Sequence, residues 1–217
     1  MRDSATVHTE AIARETVGKI GYDCGELRFC NDAFEYLSRI HGQSPDISQG
    51  VTEGEGLYAE QGAGDQGMMF GYATNETPEM LPVPIALSHR LLKRFEALRR
   101  DKTIDYLRPD AKAQVSVHYA GGKPRRITSV VVSHQTGHVS LERVRKDAAD
   151  VIRQELDATD LLDAQTEFYV NPTGNGDVIT ADHMAGMRDQ AIKLQVDRAV
   201  QAGPLPPLGR CRDGDHR

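Results

Sequence analysis

The sequence predicts an α+β fold, with helices packed on one face of a mostly antiparallel sheet. Three observations lead there. Between residues 82 and 171 the apolar pattern changes period in the order helix, strand, strand, helix, strand. Gly121-Gly122 separates two segments of strand character, the mark of a hairpin. After Ser140, apolar residues recur at i, i+3, i+7, i+10, i+11 and i+15, as one face of a helix requires.

Taken in order, residues 6–20 read as an amphipathic helix. Val7, Ile12, Ala13, Thr16, Val17 and Ile20 keep roughly helical spacing, and Gly21 stands where a helix would stop. His8, near its start, reads as a surface residue. Residues 30–41 fit two patterns: Phe34, Tyr36, Ser38 and Ile40 alternate as a strand does, while Phe34, Leu37 and Ile40 suit a helix. Residues 43–61 are rich in Gly, Ser, Asp and Glu and read as an exposed, mobile loop. A plain linker has the same composition.

Residues 61–73 follow, with four glycines around a single carboxylate, Asp65, and two glutamine amides. Glycines let another group approach the backbone closely, and successive N–H groups in such a turn can cradle an anion. Met68, Met69 and Phe70 then read as a packed apolar segment. An ordinary glycine-rich turn would carry the same signal.

Pro82 and Pro84, both tolerated in a first helical turn, precede an apolar stripe of Ile85, Leu87, Leu91, Leu92, Phe95 and Leu98. Arg90, Lys93, Arg94, Arg99 and Arg100 crowd the remaining surface and read as a solvated face, since no aromatic residues interleave them. Residues 113–119 alternate through Val115, Val117 and Tyr119, and residues 127–133 carry Val130-Val131-Val132, a well-buried strand. Ser140 is the expected N-cap of a helix bearing Leu141, Val144, Ala148, Val151, Ile152 and Leu156. Residues 166–171 return to strand alternation through Phe168 and Val170. The end of the chain, with Pro204-Leu205-Pro206-Pro207 and a polar tail, is expected to be disordered.

Bulk properties narrow the function. A formal net charge of −6 argues against a general nucleic-acid binder. No apolar run approaches the roughly 18 residues that span a bilayer, and no signal-peptide pattern opens the chain. A soluble protein of a reducing, cytoplasmic compartment is expected. The three cysteines, Cys24, Cys30 and Cys211, are odd in number and fit no zinc spacing. His118, His134 and His138 read as structural or surface groups, because no acidic or thiol ligand accompanies them at metal-site spacing. No metal ligand is assigned.

Particular residues say more. The run Gly62-Ala63-Gly64-Asp65-Gln66-Gly67-Met68-Met69-Phe70-Gly71-Tyr72-Ala73-Thr74-Asn75-Glu76-Thr77 closely resembles a signature of the methionine adenosyltransferases, or S-adenosylmethionine synthetases. Upstream, Gln43-Ser44-Pro45-Asp46-Ile47-Ser48-Gln49-Gly50 resembles that family's active-site loop. Downstream, Leu107-Arg108-Pro109-Asp110-Ala111-Lys112 resembles its ATP-contacting segment. The resemblance runs from about Ile12 to about Gly174 and implies the family's fold. It also favours a strand at residues 30–41 running into the Gln43 loop. The implied divisions are 1–55 as the end of a first domain with the active-site loop, 56–165 as a central domain, 166–200 as an eroded start of a third, and 201–217 as tail. The threefold repeat expected of the family is not visible in the sequence.

The resemblance implies that ATP and L-methionine combine, the sulfur attacking the ribose C5′ while the triphosphate leaves and is then hydrolysed. By the same resemblance, Gln43 contacts methionine, and the loop of Gln43, Ser44, Pro45, Asp46, Gln49 and Gly50 closes over the site. Asp110, Ala111 and Lys112 contact ATP, and Lys193 aligns with a further phosphate-binding lysine. Asp65 and Lys112 carry the catalytic assignment. Mg2+ and K+ are implied as cofactors, and a homodimer or higher homo-oligomer, or pairing with a full-length homologue, as the assembly. The pattern also departs from the family. No His-Pro-Asp segment occurs, Ile192 stands where an arginine is usual, and the glycine-rich Phe-Ser-x-Lys-Asp signature is missing. The implied metal ligands are thus largely absent. The chain alone is expected to be poorly active or inactive, with a non-catalytic nucleotide-binding or interaction subunit as the alternative.

Overall fold

The computed structural model describes residues 8–23, 27 and 29–172. The chain divides into two compact units, residues 1–19 with 23–73, and residues 20–22 with 74–217.

In the second unit, alternation becomes a sheet. β1 (Leu107–Ala120) and β2 (Lys123–Thr136) form an antiparallel hairpin across Gly121-Gly122. Both glycines have positive φ, 62° and 72°, as a two-residue turn matched to strand twist requires. β3 (Glu167–Val170) adds parallel to β2, giving the order β1-β2-β3. Both hairpin strands run further than the residues 113–119 and 127–133 read from the sequence. Leu107 pairs with Thr136 and Ala120 with Lys123, so pairing carries polar residues that local pattern leaves out.

α3 (Val83–Arg100) and α4 (Leu141–Leu156) share one core with the sheet. From α3 come Val83, Leu87, Leu91, Phe95 and Leu98; from α4, Val144, Ala148, Val151, Ile152 and Leu156. The sheet contributes Val115, Ile127, Val130, Val132 and Val170. Each Val, Leu, Ile or Phe side chain buried so fully stabilises the fold by about 1.5–3 kcal/mol. Two residues of the expected α3 stripe stand aside, since Ile85 is exposed and Leu92 only half-buried. Ser140 caps α4 as expected, its Oγ accepting from the Arg143 N–H at 3.3 Å.

Asn171 closes the sheet by other means. Its side chain accepts from the His134 N–H at 2.9 Å and donates to the His134 carbonyl at 3.1 Å. A buried amide thus satisfies the β2 backbone where β3 has ended.

The first unit holds α1 (Thr9–Ile20, its last residue counted with the second unit) and α2 (Pro45–Val51). Residues 30–41 form no strand, which corrects the expectation above. The reason lies in α1. Arg14 donates to the carbonyls of Asn31 at 2.9 Å and Phe34 at 3.2 Å and stacks on the Phe34 ring. Tyr36 donates to Thr9 Oγ1 at 2.7 Å. These backbone acceptors serve a helix-borne guanidinium instead of a ladder. Residues 43–61 are mostly exposed as expected, yet Ser44 starts the short helix α2 with Pro45 in its first turn. The segment from Met68 is not packed. Met69 is 94% and Phe70 88% exposed, because residues 61–73 form neither helix nor strand that could bury them.

Candidate functional site

The expected site residues fall into two groups, one in each compact unit. In the first, α2 and the glycine loop meet. The Gly62 N–H donates to the Val51 carbonyl at 3.2 Å. A Cβ on Gly62 would overlap the Gly50 carbonyl oxygen, so this approach admits glycine alone. One turn further, a Cβ on Gly64 would lie 3.9 Å from Gln43 Nε2. Gln43, Gly50 and the glycine loop, separate in sequence, are therefore neighbours. Ser44 occupies the N-cap position of α2 without a side-chain cap bond, Asp46 lies in the first turn, and Gln49 and Gly50 lie in the last. Asp65 is exposed, and its Oδ1 accepts from the Gln66 N–H at 2.7 Å. Its second oxygen and the exposed backbone beside it can meet a polar ligand.

The second group sits on the edge strand of the sheet. Pro109 has no N–H for a ladder, and here the pairing breaks. Leu107 and Ala111 pair with Thr136 and His134, so Arg108, Pro109 and Asp110 bulge opposite Gln135 alone. Regular pairing resumes with Ala111↔His134 and Lys112↔Ser133. Gln135 is 3% exposed, and its Oε1 has no hydrogen-bond partner. Beside Ala111 and Lys112, a groove of about 450 Å³ runs between β1 and α3, with Ser88 and His89 on its helical wall.

Around Asp110 the structure adds two residues that sequence reading missed. The sequence places Arg99 on a solvated face. Its side chain is only 13% exposed, and it binds both carboxylate oxygens of Glu96 at 2.8 Å and the Ile20 carbonyl at 2.7 Å. Tyr22, which follows Ile20, has its phenol pKa raised, first by burial and then by the Asp110 carboxylate, against the opposing pull of Arg99. No spacing pattern joins residues 22, 99 and 110, so sequence held no signal for this cluster.

Lys193 lies outside the described residues. Of the three histidines, His118 and His138 are exposed, while His134 is buried against Phe95 with its Nδ1 2.9 Å from the Gln135 carbonyl. Burial depresses its pKa to about 4, so the ring is neutral and serves the core. Cys30 is buried and unpaired. Among the described residues, no three His, Cys, Asp or Glu side chains cluster to hold a metal ion. No helix of the described residues is long and apolar enough to cross a membrane.

Chemically, the two groups offer a carboxylate on a glycine loop, a glutamine amide beside it, and an ammonium with a second carboxylate on a sheet edge. These are binding and charge-stabilising groups. The chain resembles known proteins over much of its length. The family model described as S-adenosylmethionine synthetase, central domain, matches residues 60–176. An S-adenosylmethionine synthase of Desulfosudis oleivorans is 44% identical over 173 residues, covering 79% of this chain and 44% of that protein. Those of Roseiflexus castenholzii and Sorangium cellulosum are each 46% identical, over 176 and 175 residues, covering 76% and 79% of this chain. The chain spans 41–44% of the length of these relatives. With more than half of its residues matched by the model of the central domain, and with an α+β sheet bearing both helices on one face, the chain belongs to the S-adenosylmethionine synthetase family.

Proposed function

We propose that the chain serves the synthesis of S-adenosylmethionine from ATP and L-methionine, with release of phosphate and diphosphate. The observation that carries this is the joint retention of the Gln43 loop, the Asp65 glycine loop and the Asp110-Ala111-Lys112 edge in a chain whose relatives are named S-adenosylmethionine synthases. In this reading the methionine sulfur forms a bond to C5′ as the C5′–O bond breaks, and the electron pair leaves with the triphosphate. Lys112 offers a compact positive charge to a phosphate oxygen, and Asp110 and Ala111 help fix the nucleotide. Gln43 and Asp65 orient methionine and nucleoside, and closure of residues 43–50 excludes water.

The triphosphate is the electrostatic burden of this step, and it needs several preorganised cations. Lys112 is the one cation assigned among the described residues, with Lys193 as a second assignment outside them. Loss of each good donor costs about 10²–10³ in rate. The chain by itself is therefore a weak or inactive catalyst, and a second copy or a full-length homologue supplies further groups, with Mg2+ and K+ bound by the assembly. A cytoplasmic setting suits these substrates.

The test is ATP titration of the purified chain and of Lys112→Gln, alongside an assay for S-adenosylmethionine and released phosphate with and without a full-length homologue. The expected result is ATP binding weakened at least tenfold by Lys112→Gln, and turnover only with the homologue. ATP binding without turnover under either condition would favour the non-catalytic nucleotide-binding subunit. No ATP binding at millimolar concentration would refute both readings.

A further inference from the structure

The basic side chains of α3 do not form a uniform solvated face. On the stripe that contains His89, Arg90, Lys93 and Arg94, the flanking residues are small, Ala86 and Ala97, and the surface sinks into a groove of about 350 Å³. That volume lies within the range of about 300–1,000 Å³ usual for small-ligand clefts. Glu155 of α4 and Glu79 of the segment before α3 complete its charged lining.

The charges do not cancel. Arg94 is neutralised by Glu155, with its Nε 3.3 Å from Oε1. That Nε is buried and makes no hydrogen bond, so the pair is electrostatic and misaligned. Arg90 and Lys93 have no ion pair or hydrogen bond among the described residues, and a single exposed carboxylate, Glu79, opposes them. Two cations a helical turn apart, in a concave site, can engage two oxygens of one anion. The guanidinium offers a planar fork and the ammonium a compact charge. No Phe or Tyr lines the groove, and His89 is the one ring in its lining.

We propose that this groove between α3, α4 and the residue 79–81 segment is a binding site for a free, multiply charged oxyanion of the diphosphate class, separate from Asp110-Ala111-Lys112. A single negative charge only offsets the one surplus positive charge that Arg90 and Lys93 hold over Glu79. A doubly or more highly charged anion gains from Arg90 and Lys93 together and outweighs Glu79.

The test is calorimetric titration of the full chain with inorganic diphosphate, and separately with ADP. Arg90→Gln/Lys93→Gln removes both charges while keeping residues of similar helix propensity, and circular dichroism checks that the fold is kept. The expected result is saturable diphosphate binding that weakens by about tenfold or more in the double variant. Glu79→Gln tightens it, and the binding lost in the double variant persists in Lys112→Gln. Loss of diphosphate binding in Lys112→Gln with retention in the double variant would overturn the proposal. Absence of saturable binding would do the same. ADP binding more tightly than diphosphate in the Lys112→Gln background would overturn the assignment to a free oxyanion.

Discussion

His134 makes the stability of the second unit depend on pH between the ring's free and folded pKa values. The ring is 3% exposed, lies edge-on to Phe95 at 5.5 Å between centroids, and faces Glu96 and Arg99 of α3 electrostatically. Burial is the main cause that lowers its pKa from 6.5 to about 4. Between these values the unfolded chain takes up a proton that the folded chain refuses. Stability is therefore unaffected by this group above about pH 6.5, falls as pH drops through the window, and has lost its full share below about pH 4. At about 1.4 kcal/mol per pH unit of separation, that share is about 3 kcal/mol. The assay is denaturant unfolding of the full chain and of His134→Gln at intervals from pH 7.5 to 4. Carboxylates held low by their partners, among them Asp101 and Asp163, titrate in both proteins and cancel in the difference. The stability of the native chain relative to the variant should fall by about 3 kcal/mol from pH 7 to pH 4. Parallel curves would refute a neutral, solvent-excluded His134.

Other perturbations separate the remaining contributions. Ile152→Ala removes a side chain of 0% exposure from the α3–α4–sheet core and should cost about 2–5 kcal/mol by the same unfolding measurement. Asn171→Leu deprives the His134 N–H and carbonyl of their partners, at about 1–3 kcal/mol for each group left unpaired, with amide exchange at His134 as a local readout. Ser140→Ala should cost about 0.5–2 kcal/mol, seen as a lower midpoint with an unchanged denaturant slope. Gly62→Ala drives a methyl group into the Gly50 carbonyl, so hydrogen exchange should speed up in residues 43–62 and stay constant in β2; uniform exchange would contradict the close approach.

The parts of the fold legible in the sequence are those whose determinants are local. The stripe after Ser140 and its cap need only one helix, and the Gly121-Gly122 turn needs only its flanking strands. The misreadings have long-range causes. Arg14 engages the carbonyls of residues 31 and 34, and no pattern within residues 30–41 announces that. At seven residues, α2 is too short for periodicity to stand out from loop composition. The exposure of Met68 to Tyr72 depends on what fails to cover it, which hydrophobicity alone does not reveal. The candidate site divides in the same way. Its motif residues are visible as motifs, while the electrostatic influence of Asp110 and Arg99 on Tyr22 arises only through the tertiary fold.

The two groups of site residues are held by unequal means, and this bears on how function could be lost. Ala111 and Lys112 belong to a strand paired with β2, the most buried element of the sheet, and Asp110 belongs to the bulge that Pro109 forces. Their position is set by the hairpin and its core, so damage to the core at Val130 or Val132, which pair with Val115 and Ala113, reaches the proposed nucleotide contacts through the same strand. Gln43 and Asp65 have no such support. They lie on exposed backbone, and the Gly62 approach to Gly50 and Val51 is what gathers their loops. A substitution there can disorder the proposed methionine contacts at little cost to global stability. Nucleotide affinity should therefore follow the unfolding free energy across core variants, while methionine-dependent behaviour varies independently of it in variants of residues 43–67.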